Sequence, residues 1–245
     1  MPKRNPTPNL VISYHRLRQS IGWLGLSLPF TLLIGNYIIN DCNLLNNETF
    51  VMTQCNIYTA DNPLKSSISD YYYSTVGGIF TGTLSAVALF MFSYRGYPQR
   101  DEELIPSDSF MTNLAGVCAL GAVIFPASSD FCLSDNIRSF VSSEIIGYAH
   151  YIFAGFFLMT LSLISLFNFR RSGKVEDFGK MPSHDFYKYC GLIMLSSLVL
   201  ILIYSLSLKG NFPVLERYNI TFILESIALL AFGLSWLKKG SVNSN

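Results

Sequence analysis

Six runs of about 20 predominantly apolar residues divide this chain, and that is the length a helix rising about 1.5 Å per residue needs to cross roughly 30 Å of hydrocarbon. They are Ile21–Asn40, Tyr72–Tyr94, Phe110–Ser128, Ile145–Phe169, Tyr189–Leu208 and Tyr218–Leu237. Apart from tyrosine and cysteine, the only ionisable side chains inside them are His150 and Glu225. Backbone amides facing lipid must be satisfied within their own segment, and the runs lack the polar alternation of a barrel strand, so helix is the expected form. With 50% hydrophobic and 13% charged residues, the chain has too little polar surface to cover a water-soluble globule of its size. The expectation is an all-α integral membrane bundle, one domain over residues 1–245.

The first run is preceded by Lys3, Arg4, Arg16 and Arg18, as a signal peptide would be. It is longer than the roughly 7–15 apolar residues of a cleavable signal and is not followed by a small-x-small site, so it reads as a retained anchor. Orientation follows from the basic residues, because cytoplasmic loops hold the excess of Lys and Arg. With the N-terminus inside, the inner segments hold thirteen: Lys3, Arg4, Arg16, Arg18, Arg95, Arg100, Arg170, Arg171, Lys174, Lys180, Lys188, Lys238 and Lys239. The outer loops hold four, Lys65, Arg138, Lys209 and Arg217, and an even number of spans returns the C-terminus to the cytoplasm. A net charge of +1, with the basic residues in short groups, gives no footprint for nucleic acid. The implied partner is the bilayer itself, with a lipid or small molecule as candidate ligand.

Cys42 and Cys55 share the first outer loop, where an oxidising compartment permits a disulfide; Cys132 in the second outer loop is an alternative partner, and free thiols remain open. Asn47-Glu48-Thr49 has the form of a glycosylation sequon. Cys118 and Cys190 lie in or near spans and suit packing. Three histidines without zinc-module spacing argue against a metal centre, and no cofactor is expected. Ser74, Gly78, Gly82 and Ala86 recur every fourth residue, which predicts a helix face where a neighbouring backbone approaches closely.

Ionisable groups in hydrocarbon are costly unless paired or hydrated, so His150 and Glu225 carry the functional argument. His150 lies six residues past Glu144, about 9 Å below the outer boundary, and Glu225 eight residues past Arg217, about 12 Å below the same boundary. Asn36, Asn40, Ser67, Ser69, Asp70, Tyr71, Tyr72, Tyr73 and Thr221 gather near that level, whereas the inner half presents no comparable set. The expectation is a polar pocket open to the outer side, lined by the first, second, fourth and sixth spans. Glu225, His150 and Asp70 are its candidate acid–base groups, and Asn36, Ser69, Tyr72 and Thr221 its candidate ligand-binding groups. Structural alternatives stand beside each: register-fixing hydrogen bonds for Glu225 and His150, a helix cap for Asp70, an interfacial belt for the tyrosines. A Ser69–His150–Asp70 relay is conceivable, although no nucleophile elbow surrounds the serine.

Ser67-Ile-Ser-Asp-Tyr-Tyr-Tyr73, Gly78-Ile-Phe-Thr-Gly82, Phe92-Ser-Tyr-Arg-Gly-Tyr97, Asn113-Leu-Ala-Gly116, Ile124-Phe-Pro126, His150-Tyr151 and the stretch from Glu225 through Trp236 to Gly240 form a recognisable set. Together they resemble an uncharacterised bacterial six-span membrane family, the domain of unknown function 998, itself distantly similar to the Frag1/DRAM/Sfk1 group. The resemblance implies a bacterial inner (cytoplasmic) membrane location and a bias toward lipid-related work, without a catalytic assignment. Membrane hydrolases of the alkaline ceramidase and adiponectin-receptor type set several histidines around zinc, and the last span here has Glu225 and no histidine. The leading expectation is binding of, or action on, a lipid headgroup or small ligand; proton-coupled transport through Glu225 and a non-catalytic assembly role are the alternatives.

Overall fold

The computed structural model describes residues 8–41, 64–74, 76–96, 106–127, 144–171, 183–208 and 218–241. Among them the chain is helical throughout, with six α-helices and no strand: α1 (Pro8–Asp41), α2 (Gly77–Ser93), α3 (Asp108–Ile124), α4 (Glu144–Leu163), α5 (Ser183–Ile203) and α6 (Ile220–Ser241). A 3-10 turn, Ser69–Tyr73, precedes α2, while α4 and α5 run on as π-turns, Ile164–Asn168 and Tyr204–Leu208. Four helical segments are long and apolar enough to cross a membrane: Tyr14–Ile38, Ile146–Asn168, Asp185–Ser207 and Ile220–Ser241. The other two, α2 and α3, have 17 residues each. Cys42, Cys55, Cys132 and the Asn47 sequon lie outside the described residues.

The short helices have local causes. The second apolar run does not begin its α-helix at Tyr72, because Ser74 adopts an extended conformation and its hydroxyl donates back to Tyr71 O (2.7 Å) while accepting from Val76 N (3.3 Å). Serine competing for backbone groups in this way favours a break. At the other boundary α3 stops at Ile124, since Phe125 precedes Pro126 and is extended, as the proline ring demands.

The helices alternate in direction. His15 and Arg18 of α1 reach Gly240 O and Lys239 O at the end of α6, Arg18 also reaches Tyr94 just past α2, Asn168 meets Asp108 at the start of α3, and Lys239 reaches Phe169. The start of α1 and the end of α6 therefore share one end of the bundle, called here the terminal end. The 3-10 turn lies at the opposite, turn end.

The tightest seam joins α1 and α6. A Cβ at Gly233 would stand 2.7 Å from Gly22 O, and one at Gly22 would stand 2.9 Å from Gly233 O, so these backbones touch only because both residues lack side chains. The small-residue face expected on the second span packs differently: Gly78 and Gly82 have open space where a Cβ would be. Between α4 and α5, Ser162 and Ser165 donate to Gly191 O (2.8 Å) and Tyr187 O (2.9 Å), giving cross-helix hydrogen bonds in an otherwise apolar contact.

The terminal end is not the polar blank expected of the inner half. Arg18, Lys239, Asp108 and Asn168 are all buried there. A chain of rings spans it, Tyr14 to Tyr94 (5.3 Å), Tyr94 to Trp236 (5.1 Å), Trp236 to Phe169 (5.1 Å) and Phe169 to Tyr187 (5.5 Å). Arg18 lies over Tyr14 at 4.3 Å and Lys239 over Phe169 at 5.2 Å. Both cations fall just outside their apolar runs; α1 and α6 continue as helix past those runs and turn the charges onto aromatic faces, where cation–π attraction offsets part of their desolvation.

Candidate functional site

Residues Ser66–Asp70 are shaped by a reciprocal cap. Ser67 N donates to Asp70 Oδ2 (3.1 Å), Asp70 N donates to Ser67 Oγ (3.2 Å), and Ser66 Oγ also donates to Asp70 Oδ2. This is the reciprocal pairing of a capping box, made here by a serine and an aspartate three residues later. The segment is tied to α6 by Phe222 N donating to Ser66 O (3.0 Å) and to the residues after α3 by Tyr73 Oη donating to Ala127 O (2.7 Å).

Against this fixed turn come the two ionisable residues of the apolar runs. Ile68 N donates to Glu225 Oε2 at 2.6 Å, and His150 Nε2 lies 2.9 Å from Ser69 Oγ. Glu225 from α6 and His150 from α4 thus engage adjacent residues of one turn. The other histidine nitrogen, Nδ1, lies 2.9 Å from Ala122 O and 2.8 Å from Phe125 O. Carbonyls only accept, so Nδ1 carries hydrogen and donates to them; in the neutral ring Nε2 then accepts from the Ser69 hydroxyl. On its Nδ1 side, His150 satisfies carbonyls at the α3 C-terminus that have no intrahelical partner.

A cavity of ≈ 50 Å³ lies between these groups. Ser69, His150 and Glu225 supply its polar side; Leu28 of α1, Phe80 and Leu84 of α2, Ala122 of α3, Phe157 and Leu158 of α4, and Leu229 of α6 are among its apolar walls. Its polar partners and size suit ordered water.

The structure brings Glu225, His150 and Ser69 together and leaves the other candidates elsewhere. Asp70 caps its own turn, within electrostatic reach of His150 and Glu225, and is not among the residues that line the cavity. Tyr72 is half-buried, edge-on to Tyr73 at 5.0 Å. Asn36 is buried on α1, Thr221 is half-buried on the first turn of α6, and neither lines the cavity. The third helix, absent from the sequence-derived lining, contributes Ala122 and the carbonyls that hold the imidazole. Among the described residues no three of His, Cys, Asp and Glu come together as a metal site, and Cys118 and Cys190 are buried free thiols.

Sequence reasoning missed the buried cations of the terminal end. The available signal was the Tyr14–Arg18 spacing and the run Phe232, Trp236, Lys239, which place rings and charges on shared helix faces at i+3 and i+4. Protein-family models, curated proteins and solved structures were compared with the chain, and none matches it.

Proposed function

We propose that this chain is a six-span membrane protein, with both termini in the cytoplasm, whose turn-end cavity receives the polar group of a lipid or small ligand from the outer side. Glu225 and His150 orient the bound group. The observation that carries this reading is the convergence of Glu225 and His150, from two helices, on the Ile68–Ser69 turn beside a cavity. Register-fixing hydrogen bonds account for Ile68 N and for the Nδ1 side of the ring, and they leave unexplained why Ser69, His150 and Glu225 line one hollow. The thirteen-to-four asymmetry of basic residues supports the orientation. The sequence strings that resemble the domain of unknown function 998 would imply a bacterial inner membrane and lipid-related work, although no family model matches the chain. Transport by proton coupling is the weaker reading, because the cavity walls on the terminal side of Glu225 and His150 are apolar and offer no relay.

Native mass spectrometry of gently extracted protein tests the ligand. A lipid or small molecule is expected to be retained by the wild type and lost in Glu225→Gln and His150→Ala, both still monodisperse; equal retention in all three removes the assignment. Topology is tested separately with C-terminal fusions: a fluorescent reporter that matures in the cytoplasm is expected to be bright and a phosphatase that needs export inactive, and the reverse pattern overturns the orientation.

A further inference from the structure

We propose that Ser69 and His150 are a nucleophile and general base acting on the acyl ester of a lipid, an inference that rests on the cavity being a ligand site. An activated serine needs a base within hydrogen-bond reach and a third group that holds the base in the right tautomer. Ser69 Oγ is 2.9 Å from His150 Nε2. The third role belongs to Ala122 O and Phe125 O, which take the Nδ1 hydrogen at 2.9 and 2.8 Å and leave the Nε2 lone pair directed at the serine. Two main-chain carbonyls thus orient the ring as a carboxylate does in a Ser–His–Asp triad. They also explain why Asp70, beside Ser69 in sequence, is free to cap its own turn.

The substrate class follows from the order of polarity in the cavity. Ser69, His150 and Glu225 form its polar side, and apolar walls continue toward the terminal end through Phe80 and Leu84, Phe157 and Leu158, and Leu229. From His150 to Leu158 is eight residues of helix, about 12 Å. A glycerolipid has the same order, its ester carbonyl near the membrane boundary and its acyl chain running toward the midplane. At ≈ 50 Å³ the cavity has room for the ester group and not for the chain, so the helices must part along the apolar wall for the carbonyl to reach Ser69.

The chemistry balances with water or a second alcohol as the only co-reactant. Ser69 Oγ attacks the carbonyl carbon while its proton passes to His150 Nε2. The carbon–oxygen bond of the ester breaks, the departing alcohol takes that proton, and the acyl group remains on Ser69. Water or an acceptor alcohol then gives its proton to Nε2 while its oxygen bonds the acyl carbon, the bond from that carbon to Ser69 Oγ breaks, Oγ takes the proton from Nε2, and the fatty acid or new ester is released. Glu225, whose hydrogen bond among the described residues is from Ile68 N, lines the same cavity and offers the alcohol or water an acceptor.

The test uses full-length protein in mild detergent, an alkyl fluorophosphonate as probe, and peptide mapping of the adduct. A single adduct is expected at Ser69, absent in Ser69→Ala and slowed by about 10²-fold or more in His150→Gln, because a base contributes at least that much to attack. Ser69→Cys, which keeps a nucleophile and fills the same space, is expected to trade fluorophosphonate for maleimide reactivity and to report folding of the site. No adduct at Ser69, or equal labelling in His150→Gln, overturns the proposal. Native mass spectra of the same samples separate the two readings: retained lipid with an unlabelled Ser69 leaves the ligand site standing without acyl transfer, and neither lipid nor label removes both.

Discussion

Each ring nitrogen of His150 has a different task, one holding the α3 C-terminus and the other meeting Ser69. Both tasks descend from one physical fact, that hydrocarbon does not tolerate an unpartnered imidazole. That fact made His150 and Glu225 legible in sequence, since an ionisable group stands out in an apolar run. The partners of His150 were not legible, because a main-chain carbonyl such as Ala122 O carries no residue signature. Asp70 resolves as a cap because Ser67 lies three residues before it, a pattern that sequence records. Lys65, in the same segment and outside the apolar runs, shows the cost of partial burial: its ammonium is pushed below the usual lysine range by burial, with the Asp70 carboxylate acting in the opposite sense. The unfolded chain therefore binds more protons than the folded one as pH climbs from the folded value toward the usual 10.5, and stability rises with pH across that window. Below the window the contribution is constant. Unfolding of wild type and Lys65→Gln in detergent across this range is expected to show the wild type gaining on the variant as pH increases; parallel curves would refute the assignment.

Among the elements, small residues do opposite things on different helices. The four-residue spacing of Ser74, Gly78, Gly82 and Ala86 predicted close packing, yet Gly78 and Gly82 face open space, whereas Gly22 and Gly233 bring α1 and α6 into backbone contact. Spacing identifies a smooth face and says nothing about whether a neighbour covers it. Gly233→Ala would set a Cβ 2.7 Å from Gly22 O and from Leu26 Cβ, so the two helices must separate, and a loss of about 1–3 kcal/mol is expected. Gly82→Ala meets nothing and removes a residue of low helix propensity, so its midpoint is expected to be unchanged or slightly higher. Thermal unfolding of both variants in one detergent provides the comparison. Helix boundaries follow the same logic: the third apolar run continues to Ser128, yet Pro126 holds Phe125 extended and ends α3 at Ile124, and the break at Ser74 required knowing which backbone groups its hydroxyl contacts.

For the whole molecule, apolar run length made the helices legible, four of them long and apolar enough to cross a membrane. Run length misled about the ends of α1 and α6, because charges beyond an apolar run look solvated until neighbouring rings are known. Arg18 and Lys239 are instead buried on a ring chain drawn from α1, α5, α6 and the residues that follow α2 and α4. That stitching has a mechanical result. Five of the six helices are riveted by rings at one extremity, whereas around residues 64–74 the opposite extremity is joined through single hydrogen bonds, so the two ends are expected to open with unequal ease. Amide exchange should register the contrast, with the last turns of α6 protected longest and the Ser66–Tyr73 amides exchanging first. Trp236→Ala, by removing the rivet's central ring, should abolish the difference between the two extremities.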